Sequence, residues 1–183
     1  VPDYRRLRVA GGTYFFTVVL LDRRSELLVA EVAALREAVR VVRRRKPFHI
    51  DAWVVLPEHI HCVWTLPEGD SNFSARWWDI KRRFSRALPV AGDREKGRVA
   101  RGERGIWQQR FWEHAIRDER DYDAHMDYVH FNPVRHGLVA RPGDWAWSSF
   151  RRCVSQGVYA AEWDGPGEEL AEAGEPRDES VMP

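Results

Sequence analysis

The chain has 183 residues, 44% of them hydrophobic and 9 of them tryptophan, enough to bury one sizeable core, so a single compact domain is expected. No apolar run approaches the roughly 18 to 20 residues of a membrane span, the opening VPDYRRLRVAGG lacks the apolar core of a secretory signal, and two cysteines, Cys62 and Cys153, do not make a disulfide framework. Membrane and disulfide-scaffold classes are thereby set aside, and a soluble cytoplasmic protein with free thiols is expected. The net charge of +1 hides an asymmetry: residues 162–183 carry 8 Asp/Glu against the single Arg177, which leaves residues 1–161 with 28 Lys/Arg and 20 Asp/Glu. A basic domain over 1–161 followed by a flexible acidic tail is the expected organisation.

In chain order, TYFFTVVLL (13–21) is β-branched and aromatic and follows Gly11-Gly12, which predicts a buried strand. The segment 25–46 places Leu28, Val32, Leu35, Val39 and Val42 at helical spacing, with Ser25 as cap and Pro47 beyond its end. FHIDAWVVL (48–56) and HIHCVWTL (59–66) read as strands joined at Pro57-Glu58 into a hairpin. A second helix is predicted over 73–88 through Phe73, Trp77, Ile80, Phe84 and Leu88, and it also carries Arg76, Lys81, Arg82, Arg83 and Arg86. Residues 89–105, rich in Gly and Arg, read as a long loop; 106–117 reads as a fourth strand and 118–132 as a third helix. The order β, α, β, β, α, β, then helix matches an α+β ferredoxin-like split βαβ fold, an antiparallel four-stranded sheet with both crossover helices on one face and an additional C-terminal helix. Such a fold carries no function by itself.

Residues alternate between faces of a strand, so His59 and His61 point one way while Ile60 and Cys62 point the other. Two imidazoles on one face can grip a divalent ion, yet an isolated pair is equally compatible with two hydrogen-bonded histidines at a strand edge. In MDYVHFNPVRHG (126–137), Tyr122, Met126 and Val129 define the apolar stripe of the third helix, and Tyr128 lies about 110° from its centre. Asn132 falls near the same flank one turn later, although Pro133 disfavours helical geometry there and is expected to end or kink the helix. If that flank faces the histidines, a phenol nucleophile stands beside a three-ligand metal site of His59, His61 and Asn132, the set that phosphodiester cleavage needs. The amide and phosphate oxygens favour a hard ion, Mg²⁺ or Mn²⁺. Tyr122 is the rival nucleophile, but its place in the apolar stripe argues against it. Glu113, His114, Asp121 and His125 are expected in supporting or surface roles.

Four segments, YRRLRVAGGTYFFTVVLLDRR, IDAWVVLPEHIHCVWTLPEGD, GIWQQRFWEHAIRDERDY and YVHFNPVRHGLV, resemble in order the REP-associated tyrosine transposases, relatives of the IS200/IS605 transposases within the HUH single-strand nuclease superfamily. The resemblance implies that His59 and His61 are the paired metal-binding histidines, Tyr128 the nucleophile and Asn132 the polar residue completing the metal site, shorter than the glutamine often found in related transposases. It implies an enzyme acting on single-stranded palindromic hairpins with a tetranucleotide at their foot, through a 5′-phosphotyrosine and a released 3′-hydroxyl, in a nucleoid-associated cytoplasmic setting. Transposon-branch relatives are dimers with shared active sites, whereas the REP-associated branch is expected to be monomeric. Arg5, Arg6 and Arg8, the helix residues Arg76, Lys81, Arg82, Arg83 and Arg86, and the Arg-rich loop 94–104 are the candidate DNA contacts, with aromatic faces stacking on unpaired bases. The alternative is a domesticated hairpin-binding regulator without cleavage activity; a metal-dependent hydrolase in which Tyr128 is only structural is a more distant one.

Overall fold

The computed structural model describes residues 7–89 and 105–166. Arg5, Arg6, the loop 94–104 and the acidic residues from 167 onward lie outside them. Strand β1 (Thr13–Val19) is central, because its β-branched and aromatic residues are buried on both faces. It pairs antiparallel with β3 (His59–Thr65) on one side and β4 (Trp112–Ala115) on the other, and β2 (His49–Val55) pairs antiparallel with β3, giving the order β2-β3-β1-β4. This is the split βαβ topology expected from the element order.

Alternation in β1 and β3 divides the core. Tyr14, Phe16, Val18, Ile60, Cys62 and Trp64 face α2 (Val32–Arg45) and α3 (Phe73–Ala87), where Trp64 and Trp77 stack at 4.4 Å and Phe48 closes on Trp64 at 4.1 Å. Phe15, Ala52, Val54 and Val63 face the other way, onto Met126 and Val129 of α4 (Glu119–Arg135) and Cys153 of α5 (Phe150–Ser155). Both cysteines are free and buried. Among the described residues no helix is long and apolar enough to cross a membrane.

Several boundaries differ from the sequence expectation. The first helix starts as the short α1 (Leu27–Ala30), breaks at Glu31 and resumes as α2; Ser25 Oγ accepts from Leu27 N at 3.2 Å, and the Leu28 amide bonds Pro57 O of the hairpin turn. The fourth strand is four residues long, and just past the end of β1 an out-of-register bridge joins Leu20 to Trp107. The third helix runs through Pro133 to Arg135 instead of ending at 132. A proline in the last turn removes a single intrahelical donor, and a terminating motif follows directly: Gly137 takes φ +68, its amide bonds Val134 O, and the Leu138 amide bonds Pro133 O.

The chain leaving α4 then covers the free edge of β2. Trp145 Nε1 donates to Val55 O at 2.9 Å, the Val55 amide to Trp147 O, the Trp53 amide to Ser149 Oγ and the Ser149 amide to Trp53 O, while Arg152 donates to Ile50 O and Asp51 O. Side-chain packing extends past residue 161, since Trp163 stacks on Phe150 and Tyr159.

Candidate active site

His59 and His61 emerge from β3 on the α4 face, with Cys62 on the opposite one, as alternation requires. Both are nearly buried, at 4% and 3% exposure, with ring centroids 4.7 Å apart. Each has its Nδ1 engaged: that of His61 pairs with Thr17 Oγ1 at 2.9 Å across the β1–β3 ladder, and that of His59 with Glu58 Oε1 at 2.8 Å. Burial works against the Glu58 charge, but the His59 hydrogen bond and the positive charges of His59 and Arg23 overcome it and hold the carboxyl below its usual range. An ionised Glu58 only accepts, so the proton of this bond sits on His59 Nδ1 and Nε2 is the ring nitrogen left outside it. Burial, reinforced by the positive charges of His59, His136, Arg135 and Arg23, drives His61 well below the ordinary histidine range. It is neutral, the form that binds a metal.

Helix α4 lies over this strand. Its N-cap Asp118 accepts from Asp121 N, and its buried residues Met126 and Val129 seat it on the sheet. That seating turns Tyr128 toward the histidines: its ring meets His61 edge-on at 5.2 Å and Phe15 at 5.6 Å, with the Arg135 guanidinium over it at 5.3 Å. Two turns further on, His136 lies 5.1 Å from His59. Asn132, one turn from each, is therefore held between the two contacts. It is fully buried; its Nδ2 donates to Tyr128 O at 3.3 Å, and its Oδ1 has no hydrogen-bond partner. A buried unsatisfied acceptor costs about 1 to 3 kcal/mol, and a bound cation would offset that. A buried pair of imidazoles bonded through Nδ1, with an orphaned amide oxygen nearby, fits a divalent ion.

The four described tyrosines differ sharply. Tyr14 bonds the Val9 backbone, Tyr122 donates to Asp51 Oδ1 at 3.1 Å and Tyr159 to Asp127 Oδ1 at 2.8 Å. Burial first, and then the adjacent carboxylates, push the Tyr122 and Tyr159 phenols far up and keep them protonated. Only the Tyr128 hydroxyl has no hydrogen-bond partner among the described residues.

The expected DNA contacts divide. Arg76 is corrected: it is 2% exposed, and its guanidinium donates to Lys46 O, Pro47 O, Asn72 O and Asp70 Oδ2, so it ties the start of α3 to the end of α2 and presents nothing to a phosphate. Lys81 bonds Gln108 O, and Arg83 pairs with Asp79 at 3.6 Å. Arg8, Arg82 and Arg86 are exposed, with Arg82 stacked on the exposed Trp78 at 4.8 Å. Helix α3 lies across the sheet from Tyr128.

A second polar group sits where β4 meets α4. One ligand atom from each of His114, Asp121 and His125 falls within 4.8 Å of the others, the spacing of a metal site. Asp121 already accepts from His114 Nε2 at 2.8 Å and from the amide and Nε of Arg117, and although burial opposes ionisation these bonds lower its carboxyl to about 2. Thr17, Glu58, Arg135 and His136 escape a reading of the sequence. The spacing of four from Tyr128 to Asn132 to His136 was a usable signal for the last, whereas Thr17 depends on strand register.

Fold and site together define an α+β protein in which a His-x-His strand opposes a tyrosine-bearing helix. No family model matches the chain. A REP-associated tyrosine transposase of Escherichia coli (strain K12) is 50% identical over 165 residues, covering 90% of this chain and 92% of that protein. A relative from Haemophilus influenzae is 43% identical over 166 residues, covering 90% of this chain and 94% of its own length. The solved structure of a REP-associated tyrosine transposase bound to a REP hairpin matches with a TM-score of 0.81 at 46% identity, covering 96% of this chain and 99% of that one. The chain belongs to the family of REP-associated tyrosine transposases.

Proposed function

We propose that this protein is a metal-dependent single-stranded DNA endonuclease and strand transferase acting on palindromic, REP-like hairpins. The uncommitted Tyr128 hydroxyl beside the neutral His61 carries the reading. The hairpin as ligand is supported by the related transposase solved with a REP hairpin bound.

His59 and His61 through Nε2, and Asn132 through Oδ1, are the residues that would hold the ion, Mg²⁺ or Mn²⁺. When bound, it polarises the phosphoryl group and stabilises the charge that develops there. The His114–Asp121–His125 group suits this less well, because the Arg117 guanidinium already balances its only carboxylate. Tyr128 Oη attacks phosphorus: the Oη–P bond forms, the P–O3′ bond breaks, the phenolic proton is lost to solvent and the departing oxygen takes one up. The product is a 5′-phosphotyrosine with a free 3′-hydroxyl. One ester replaces another, so the hydroxyl can reverse the step and rejoin strands without an energy source. Glu58 and Thr17 hold the two imidazoles by Nδ1, which leaves Nε2 as the atom that would meet the ion. Phe15 packs edge-on against the Tyr128 ring and limits which way it can turn. Arg8, Arg82 and Arg86 are available for backbone contacts, with Arg5 and Arg6 outside the described residues.

The test is a labelled single strand carrying a REP hairpin, incubated with protein and Mn²⁺ and examined for an adduct that survives denaturation. Wild type forms it. Tyr128→Phe binds the hairpin and forms none, and His61→Ala loses at least about 100-fold in rate. Cleavage persisting in Tyr128→Phe would remove the nucleophile; binding by wild type with no adduct under any metal would leave a hairpin-binding regulator.

A further inference from the structure

Arg135 occupies the last turn of α4, two turns beyond Tyr128, and its side chain is exposed. Neighbouring cations are neutralised: Arg117 by Asp121 and Arg141 by Asp144. Arg135 has no ion pair and no hydrogen bond among the described residues, and its guanidinium lies over the Tyr128 ring at 5.3 Å. A basic residue in a last helical turn complements the helix dipole, but that role is met by any cation near the terminal carbonyls and does not call for one folded back over the nucleophile. Tyr128 is thus flanked by His61 on one side and the Arg135 guanidinium on another.

In-line attack on a phosphodiester concentrates negative charge on the non-bridging oxygens as the phenol gives up its proton. The planar fork of an arginine matches two such oxygens at once, which an ammonium cannot do. We infer that Arg135 is a further catalytic residue, donating to the non-bridging oxygens of the scissile phosphate and holding phosphorus over Tyr128 Oη. The inference rests on the reading of Tyr128 as nucleophile. It assigns Arg135 to the transition state and not to hairpin affinity, since one phosphate contact among many adds little to binding.

The experiment uses the full chain and a labelled single strand carrying a REP hairpin, comparing wild type with Arg135→Gln, Arg135→Lys and Arg135→Ala. Hairpin affinity is read by fluorescence anisotropy, adduct formation by single-turnover rates at saturating hairpin, and Mn²⁺ affinity by electron paramagnetic resonance without DNA. Hairpin affinity is expected within about threefold of wild type, while the adduct rate of Arg135→Gln falls at least about 100-fold. Arg135→Lys recovers part of the loss, and millimolar guanidinium ion accelerates Arg135→Ala but not Tyr128→Phe. Removing a positive charge beside the histidines also tightens Mn²⁺ binding, a change that does not depend on activity. Wild-type adduct with an undiminished rate in Arg135→Gln overturns the inference alone, as does a rate loss that only tracks lost hairpin affinity. Absence of adduct in wild type overturns the nucleophile reading and this one with it.

Discussion

At the scale of residues, Tyr122 and Tyr128 share one helix and differ in what their hydroxyls touch. The Tyr122 hydroxyl is tied to Asp51, a residue at the β-bulge of β2, so Tyr122→Phe is expected to cost about 1 to 3 kcal/mol of stability and leave adduct formation intact. Chemical denaturation beside the adduct assay reads both. His130 is fully buried against Ser149 Oγ, and burial, helped by the Arg152 charge, lowers its titration to about 3. The unfolded chain takes up that proton below about pH 6.5, and the folded one does not until far lower. Stability is therefore full above about pH 6.5 and declines as the pH falls toward 3, by up to about 1.4 kcal/mol per unit for this one group. Urea midpoints from pH 7 to 4 should fall for wild type and fall less steeply for His130→Gln; equal slopes would remove His130 as the cause. The site was legible at this scale where side-chain direction follows from local geometry, as for His59 and His61, or from helical spacing, as for Tyr128 and Asn132. It was not legible for Arg76, because nothing local reveals that the carbonyls of Lys46 and Pro47 will surround it.

At the scale of elements, α4 decides the site, and both its ends are specified. Its start is held by Asp118, and by Asp121, which gathers His114 of β4 and Arg117. Asp121→Asn should lower stability by about 1 to 3 kcal/mol at pH 7 and lose most of that difference as the pH falls through about 2, where the wild-type carboxyl is itself protonated. Its end is fixed by Gly137 at φ +68, where alanine is expected to cost about 1 kcal/mol in the same measurement; a neutral Gly137→Ala would mean the terminus is not limiting. The sequence suggested a stop at Asn132 from the local penalty before proline, but the burial of Asn132 and Pro133 outweighs it. β4 was overestimated for the opposite reason: apolar and aromatic residues at 106–111 pack on α3 and the sheet without staying in register.

At the scale of the whole molecule, Tyr128 and the histidines meet within one chain. Such a site is complete in one chain, whereas a dimer with exchanged helices would bring Tyr128 to its partner's strand. Mixing His61→Ala with Tyr128→Phe should then give no adduct above either variant alone, and light scattering should return the mass of one chain; recovery of activity on mixing would show exchanged helices. The topology was legible because each element had its own period, and the division of its faces followed from alternation in β1 and β3.

Helix α4 is also anchored at opposite margins of the sheet. The Asp121 group ties its beginning to β4, and the chain that leaves it binds along β2 through Trp145, Trp147 and Ser149. A DNA strand joined to Tyr128 would pull on the middle of a beam supported at both ends. The tension would spread to both margins and meet bonds that must slide together before any yields, so a tethered strand under load would be held without peeling the helix from the histidines.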